Sequence, residues 1–228
     1  MLRDFAVAAV VVVCLSICSL FAFADDAAAP PAGAVVLFDG KDTSHWLGKD
    51  NQPCPWKVID GALQAGGGDI HTKDGYLDYT LHIEFRTPTP AEGDKGQHRG
   101  NSGIYLDNLY EIQVLESFGI EPPTKGDCAA IYNQKAPDVN AAKGPMEWQT
   151  YDITFRAPRF DDAGKKTENA RVTVIWNGKK AHDNAEITGP TRSKNEKEIP
   201  GPQPVRLQDH GFAVQFRNIY LVPASAND

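Results

Sequence analysis

The 228-residue chain carries 23 Lys and Arg against 30 Asp and Glu, a net charge of −7, and 41% of its residues are hydrophobic. An acidic chain has no electrostatic case for gripping a phosphate backbone, so nucleic acid is excluded as a partner. The basic pairs Lys165-Lys166 and Lys179-Lys180 lie beside turns and read as solvated tips.

Residues 5–23 are almost wholly apolar, follow Arg3, and end in Ala22-Phe23-Ala24 before Asp25-Asp26. A charged start, an apolar run and a small-x-small end mark a secretory signal peptide, residues 1–24, cut after Ala24. The run is long for a signal, which leaves a retained membrane anchor as the alternative. Leu15-Ser16-Ile17-Cys18 is a poor lipoprotein signal, because Ile17 stands where a small residue is wanted. Cleavage directs the chain to the periplasm or the exterior, with no membrane attachment afterwards. The 228 residues less a leader of 24 leave 204, enough for one β domain with a full core. Residues 25–34 are Ala/Pro-rich and read as a linker, and 35–224 as the domain.

Of four cysteines, Cys14 and Cys18 leave with the signal. Cys54 and Cys128 remain, and in an oxidising compartment two cysteines suggest one disulfide. Two unpaired thiols are the alternative. No His or third Cys stands at ligand spacing from either, so a cysteine metal site is not indicated.

Along the domain, period-2 alternation dominates and no helical pattern exceeds two turns. Leu81, Ile83 and Phe85 alternate with His82, Glu84 and Arg86; Tyr110, Ile112 and Val114 with Glu111 and Gln113. Tyr151, Ile153 and Phe155 alternate with Asp152, Thr154 and Arg156, and Val172, Val174 and Trp176 with Arg171, Thr173 and Ile175. These are half-buried antiparallel strands. Asn177-Gly178 is a two-residue hairpin signal. Val205–Val222 holds two strands split near Asp209-His210-Gly211, and core parity shifts from Val214 and Phe216 to Ile219 and Leu221, which predicts a bulge at Arg217-Asn218. Residues 87–100, 121–127 and 189–203 are too polar for strands and read as rim loops. The fold class is therefore all-β, an antiparallel β-sandwich or jelly roll.

Three constellations carry possible chemistry. On a regular strand Glu111 and Gln113 share a face, and the strand 101–106 places Asn101, Gly103 and Tyr105 beside them. A carboxylate beside amides suits sugar hydroxyls; the competing reading is a merely solvated sheet face. Glu116 has the opposite parity and joins Glu111 only through a bulge near Leu115. Second, Gln208-Asp209-His210-Gly211 puts a His at a strand end, where it can act as acid or base near neutral pH, or simply sit on the surface. Third, Arg99 enters the Asn101 strand from a Gly-rich loop and could stabilise an oxyanion or form a rim ion pair. Lys143 is a further cation candidate. Trp46, Trp56 and Trp176 read as core; Trp148 could stack on a sugar ring, although packing is its other reading. There is no Gly-x-Ser-x-Gly, phosphate loop, dinucleotide fingerprint or His-x-x-x-His.

Seven motifs, in order, resemble those of the 3-keto-disaccharide hydrolase domain family. They are Leu37-Phe38-Asp39-Gly40 with Trp46, Trp56-Lys57-Val58 with Asp60-Gly61, Gly100 to Tyr105, Tyr110 to Val114, Glu147 to Tyr151, Leu207 to Gly211, and Phe216 to Ile219. The resemblance implies a concanavalin A-like jelly roll and action on 3-keto-glycosides, with an oligosaccharide or glycoside as the partner. It implies no required cofactor, although a divalent ion held by rim carboxylates stays open. The fold also resembles laminarinase-type glycosidases, whose motif is Glu-x-Asp-x-(x)-Glu; here Glu111, Gln113 and Glu116 take those places with an amide at the centre. On this footing Glu111 is the expected base and His210 the acid or enolate donor. Arg99 or Lys143 would supply positive charge, and Asn101, Gln113, Tyr105, Gln208 and Trp148 would contact the sugar. A non-catalytic sugar-binding module and a conventional glycosidase remain the rival classes.

Protein recovered from its native host is expected to begin at Asp25. Intact-mass measurement checks this, and a mature chain that retains Met1 would favour the anchor.

Overall fold

The computed structural model describes residues 29–191 and 195–224. The expected signal peptide and the first part of the linker lie outside the described residues. In chain order the strands are β1 (Val35–Phe38), β2 (Trp46–Leu47), β3 (Lys57–Ile59), β4 (Ala62–Gln64), β5 (Ile70–Thr72), β6 (Tyr79–Arg86), β7 (Ser102–Leu106) and β8 (Tyr110–Val114). They continue with β9 (Gln149–Arg156), β10 (Arg159–Phe160), β11 (Lys166–Glu168), β12 (Ala170–Trp176), β13 (Lys179–Ile187), β14 (Arg206–Leu207) and β15 (Gln215–Pro223).

These strands build an antiparallel sandwich. The larger sheet runs β13-β12-β9-β6-β15-β4-β3, with β1 also on β15; the smaller runs β2-β5-β14-β7-β8. Each alternating strand sends its apolar set inward, as the period of two demands. Leu81, Ile83, Phe85, Ile153, Phe155, Val172 and Val174 from one sheet meet Ile104, Ile112, Val114 and Leu207 from the other, all fully buried. Trp46, Trp56 and Trp176 are core, and each indole N–H finds an acceptor: Leu37 O at 2.9 Å, Gly68 O at 2.7 Å and Gln149 Oε1 at 3.1 Å. Buried indoles need such partners.

Two local expectations hold. Asn177 and Gly178 both take positive φ between β12 and β13. In β15 the register slips between Arg217 and Tyr220, with Asn218 at φ 46°, so Ile219 re-enters the core. Residues 189–203 contain no strand among the described residues, 121–127 are a loop, and 87–100 are a loop with one short 3-10 turn at Gly96–His98.

The disulfide expectation is corrected: Cys54 and Cys128 are both free. Cys54 follows edge strand β2, where Pro53 bridges Leu47, whereas Cys128 precedes Ala129, which hydrogen-bonds to β8 at the opposite edge. Strands stack about 4.8 Å apart, so four spacings make about 19 Å; a disulfide needs Cα atoms within about 7 Å. Burial pushes the Cys128 thiol up to about 12, and it lies 3.1 Å from the Tyr151 hydroxyl in the core.

The outer face of the larger sheet carries a packed polar network. His82 Nδ1 meets Asp152 Oδ1 at 2.6 Å, its ring stacks on Tyr220 at 4.7 Å, and Glu84 accepts from Arg217 and Asn218 at 2.7 and 2.9 Å. Burial alone would lower the His82 pKa, but the Asp152 and Glu84 carboxylates outweigh it and raise it to about 9. Burial would raise Glu84, yet His82, Asn218 and Arg217 pull it down to about 2. Charged His82 is thus favoured by the fold: its contribution is full below its ordinary 6.5 and fades as pH climbs through 9. The Glu84 contribution is full above 4.5 and fades as pH falls through 2. Urea unfolding of the protein is expected to show lower stability at pH 9.5 than at pH 7.5, with a smaller difference in His82→Gln. An unchanged difference would remove His82 as the titrating group.

Candidate functional site

The outer face of the smaller sheet holds a cavity of about 340 Å³, the lower end of the range for small-molecule sites. Gln97, Asn101, Tyr105, Glu111, Gln113 and Gln208 line it, together with Asp69, Tyr132, Asp209 and His210. Strand parity builds its floor. With Ile112 and Val114 sealed in the core, Glu111 and Gln113 must point out; with Ile104 and Leu106 sealed, Tyr105 must point out beside them.

Glu111 is 3% exposed, and its Oε2 accepts the Tyr105 hydroxyl at 2.9 Å. Tyr105 in turn accepts from Gln208 Nε2 at 3.1 Å, and the Arg206 guanidinium lies 3.8 Å from the centre of its ring. The other carboxylate oxygen, Oε1, lies over Gly103: a Cβ there would stand 2.4 Å from it. Gly103 is paired with Gln113 in the ladder, and its bare Cα is what lets the Glu111 side chain lie flat across β7.

An amide relay forms one wall. Gln97 Nε2 donates to Gly126 O at 2.8 Å, and Gln97 Oε1 accepts from Asn101 Nδ2 and Gln113 Nε2, both at 2.9 Å. Asn101 Oδ1 and Gln208 Oε1 have no hydrogen-bond partner among the described residues. These acceptors are matched to ligand hydroxyls, because a buried acceptor left unmet is costly. Asp69 and Asp209 are committed to the frame: Asp69 accepts from Asp209 N at 2.9 Å and pairs with Arg206 at 3.3 Å, while Asp209 accepts from Gly68 N at 2.8 Å and Gly211 N at 2.9 Å. His210 stands exposed at the mouth with its ring stacked toward Phe212. Among the described residues no three His, Cys, Asp or Glu side chains group as a metal site.

Of the residues singled out from sequence, Glu111, Gln113, Asn101, Tyr105, Gln208 and His210 line the one cavity. Arg99, Lys143 and Trp148 do not. Arg99 forms the rim ion pair with Glu116 at 3.2 Å, which also places Glu116 away from Glu111. Lys143 Nζ donates to Trp148 O at 2.8 Å, in the chain leading into β9. Trp148 packs against the guanidinium groups of Arg86 and Arg217, 4.6 and 4.0 Å from its ring centre, on the larger sheet. Sequence reasoning missed Gln97, Asp69 and Tyr132. Only Asp69 had a signal, the preceding Gly66-Gly67-Gly68 run that brings backbone close to Asp209.

Residues 33–222 match the family model described as a 3-keto-alpha-glucoside-1,2-lyase-like domain. The chain belongs to this 3-keto-disaccharide hydrolase family. Solved structures agree on the fold. One, from Parabacteroides distasonis and described as a candidate glycosyl hydrolase, is 38% identical over 85% of each chain with a TM-score of 0.78. Two others from the same organism, described in the same words, are 25% and 20% identical. The first of these covers 84% of this chain and 99% of its own at a TM-score of 0.55, the second 85% and 94% at 0.61. Among curated proteins nothing matches. Membership of the 3-keto-disaccharide hydrolase family supports a hydrolase acting on carbohydrate.

The close approach at Gly103 separates fold from function. Gly103→Ala should leave the melting temperature within about 5 °C, since only a flexible carboxylate has to move. Turnover of a carbohydrate substrate should fall by about 10²-fold, the scale of a displacement of about 1 Å in a reacting group. Unchanged turnover would show that the Glu111 position over β7 is not used.

Proposed function

We propose that this exported protein, acting in the periplasm or outside the cell, cleaves glycosides that carry a ketone at C3, with Glu111 as the base that takes the C2 proton. The observation that carries the reading is a cavity whose floor holds a buried carboxylate, Glu111, among amides and a phenol, while Asp69 and Asp209 are fixed to backbone and Arg206, and Glu116 is paired with Arg99. A retaining glycosidase needs two carboxyl groups about 5 Å apart across the scissile bond. In this cavity the neighbouring position on the strand is Gln113, which cannot ionise.

A C3 ketone makes one base sufficient. It acidifies the C2 proton, the resulting enolate expels the C1 oxygen, and water adding to the new double bond completes a net hydrolysis. Positioned proton transfer supplies the rate. Asn101, Gln113 and Gln208 are placed to hold hydroxyls, and His210 stands at the entrance. The family description, a 3-keto-alpha-glucoside-1,2-lyase-like domain, supports this chemistry, and the solved relative described as a candidate glycosyl hydrolase is consistent with cleavage of a glycosidic bond.

Incubation with a disaccharide and with its 3-keto form tests the proposal. Cleavage of the keto form alone is expected. Cleavage of both would indicate a conventional glycosidase, and binding without cleavage a sugar-binding module. Glu111→Gln should still bind the keto sugar, lose turnover by about 10²–10⁴-fold, and lose deuterium incorporation at C2. A raised KM with kcat nearly intact would mean that Glu111 only grips a hydroxyl.

A further inference from the structure

We propose that Tyr105 is the acid that protonates the departing C1 oxygen, so that Tyr105 and Glu111 act as one proton-conserving pair. This rests on the C2-abstraction reading above and supplies the group that reading leaves open. Three residues lining the cavity carry a hydroxyl or imidazole, Tyr105, Tyr132 and His210; His210 is exposed at its mouth, whereas Tyr105 is 1% exposed and its hydroxyl bonds directly to the Glu111 carboxylate. Its hydroxyl donates to Glu111 Oε2 at 2.9 Å and accepts from Gln208 Nε2 at 3.1 Å. The geometry also favours the charge that an acid must carry after giving up its proton. The Arg206 guanidinium lies over the phenol ring at 3.8 Å, and a cation there attracts a phenolate more strongly than a phenol. The Gln208 amide donates to the same oxygen and would strengthen its bond as the charge develops.

The proton ledger closes without any co-reactant. Glu111 starts as carboxylate and Tyr105 as phenol. The C2–H bond breaks toward Glu111, its electrons form the C1–C2 double bond, and the C1–O bond breaks with its pair on oxygen. That oxygen takes the Tyr105 proton and leaves as an alcohol. A carboxylic acid and a phenolate are left facing each other. Hydration then runs the exchange in reverse: water adds its oxygen to C1 and gives its proton to the Tyr105 phenolate, while the Glu111 carboxylic acid returns a proton to C2, and the pair is restored.

An acid is needed only where the leaving oxygen is a poor one, and this makes the assignment testable. Methyl and p-nitrophenyl 3-keto-glucosides are compared in the wild-type protein and in Tyr105→Phe, with C2 deuterium exchange followed in parallel. The variant should lose turnover of the methyl glycoside by about 10²–10⁴-fold. It should keep the p-nitrophenyl rate within a few-fold and retain C2 exchange. An equal loss on both glycosides, with exchange gone, would show that Tyr105 merely positions Glu111 and would overturn the proposal. An unchanged methyl rate would overturn it too and return the role to His210. A second measurement needs no variant: in the wild type, kcat for the methyl glycoside should fall on the alkaline side as Tyr105 ionises, and the p-nitrophenyl rate should lack that limb. Identical alkaline limbs would count against Tyr105. Wild-type protein that cleaves neither glycoside and exchanges no C2 proton would overturn the C2-abstraction reading itself, an outcome distinct from the variant results.

Discussion

The Glu111 carboxylate can lie over the cavity floor only because position 103, on the neighbouring strand, has no side chain. A Cβ there would stand 2.4 Å from Oε1, well inside any real contact. Everything else at the site follows from holding that arrangement still. Ile112 and Val114 anchor β8 in the core, so the strand cannot rotate or slip by one residue without turning its apolar set to water. β8 is also an edge strand, and an edge left bare is free to fray. Here residues 129–132 cover it: Ala129 N bonds to Gln113 O at 2.9 Å, Gln113 N to Ala130 O at 3.0 Å and Tyr132 N to Glu111 O at 3.1 Å. That covering segment is tied in turn to the larger sheet. The ring of His182 on β13, fully buried, bonds from Nε2 to the Ala129 carbonyl at 2.8 Å. Burial holds its pKa down at about 4, so the ring stays neutral and the tie persists over the ordinary pH range.

The two outer faces of the sandwich use similar residues to different ends. On the larger sheet His82, Glu84, Asp152, Asn218 and Arg217 satisfy one another, and the Trp148 ring carries two guanidinium groups. Such a face is closed: its donors and acceptors are spent internally. On the smaller sheet Asn101 Oδ1 and Gln208 Oε1 remain unmatched beside a cavity. A charged residue facing outward is therefore weak information by itself. What separates a site from a stabilising network is whether its polar atoms are left waiting.

That distinction also sets how far the sequence could be read. Strand identity, the Asn177-Gly178 hairpin and the β15 bulge depend on local alternation and turn chemistry, which the chain carries in plain order. So does the common face of Asn101, Tyr105, Glu111 and Gln113, because parity within paired strands fixes direction. Gln97, Asp69 and Tyr132 come from loops whose path is set by distant contacts, and no period announces them. Arg99, Lys143 and Trp148 stand out in the sequence by chemical type alone, and their partners (Glu116, a backbone carbonyl and two arginines) are visible only in three dimensions. The cysteine pairing failed for the same reason. Composition gives the number of thiols, but the strand order places them at opposite edges of one sheet.

The amide at position 113 is the step where fold and chemistry meet. Its orientation follows from groups whose roles are not interchangeable. The Gly126 carbonyl can only accept, so Gln97 must turn its nitrogen there and its oxygen toward the cavity. Gln97 Oε1 can only accept, so both Asn101 and Gln113 must present nitrogen to it. The Val114 backbone N–H can only donate, and it fixes Gln113 Oε1 at 3.0 Å. A carboxylate in place of Gln113 would set a negative oxygen against Gln97 Oε1 and near the Gly126 carbonyl, an unmet repulsion in a buried place. The relay therefore selects an amide and excludes a second ionised group beside Glu111. The cavity face of β8 therefore presents one carboxylate, Glu111, and the proposed single-base chemistry asks for no more, since there the substrate's own carbonyl has already made a C–H bond acidic.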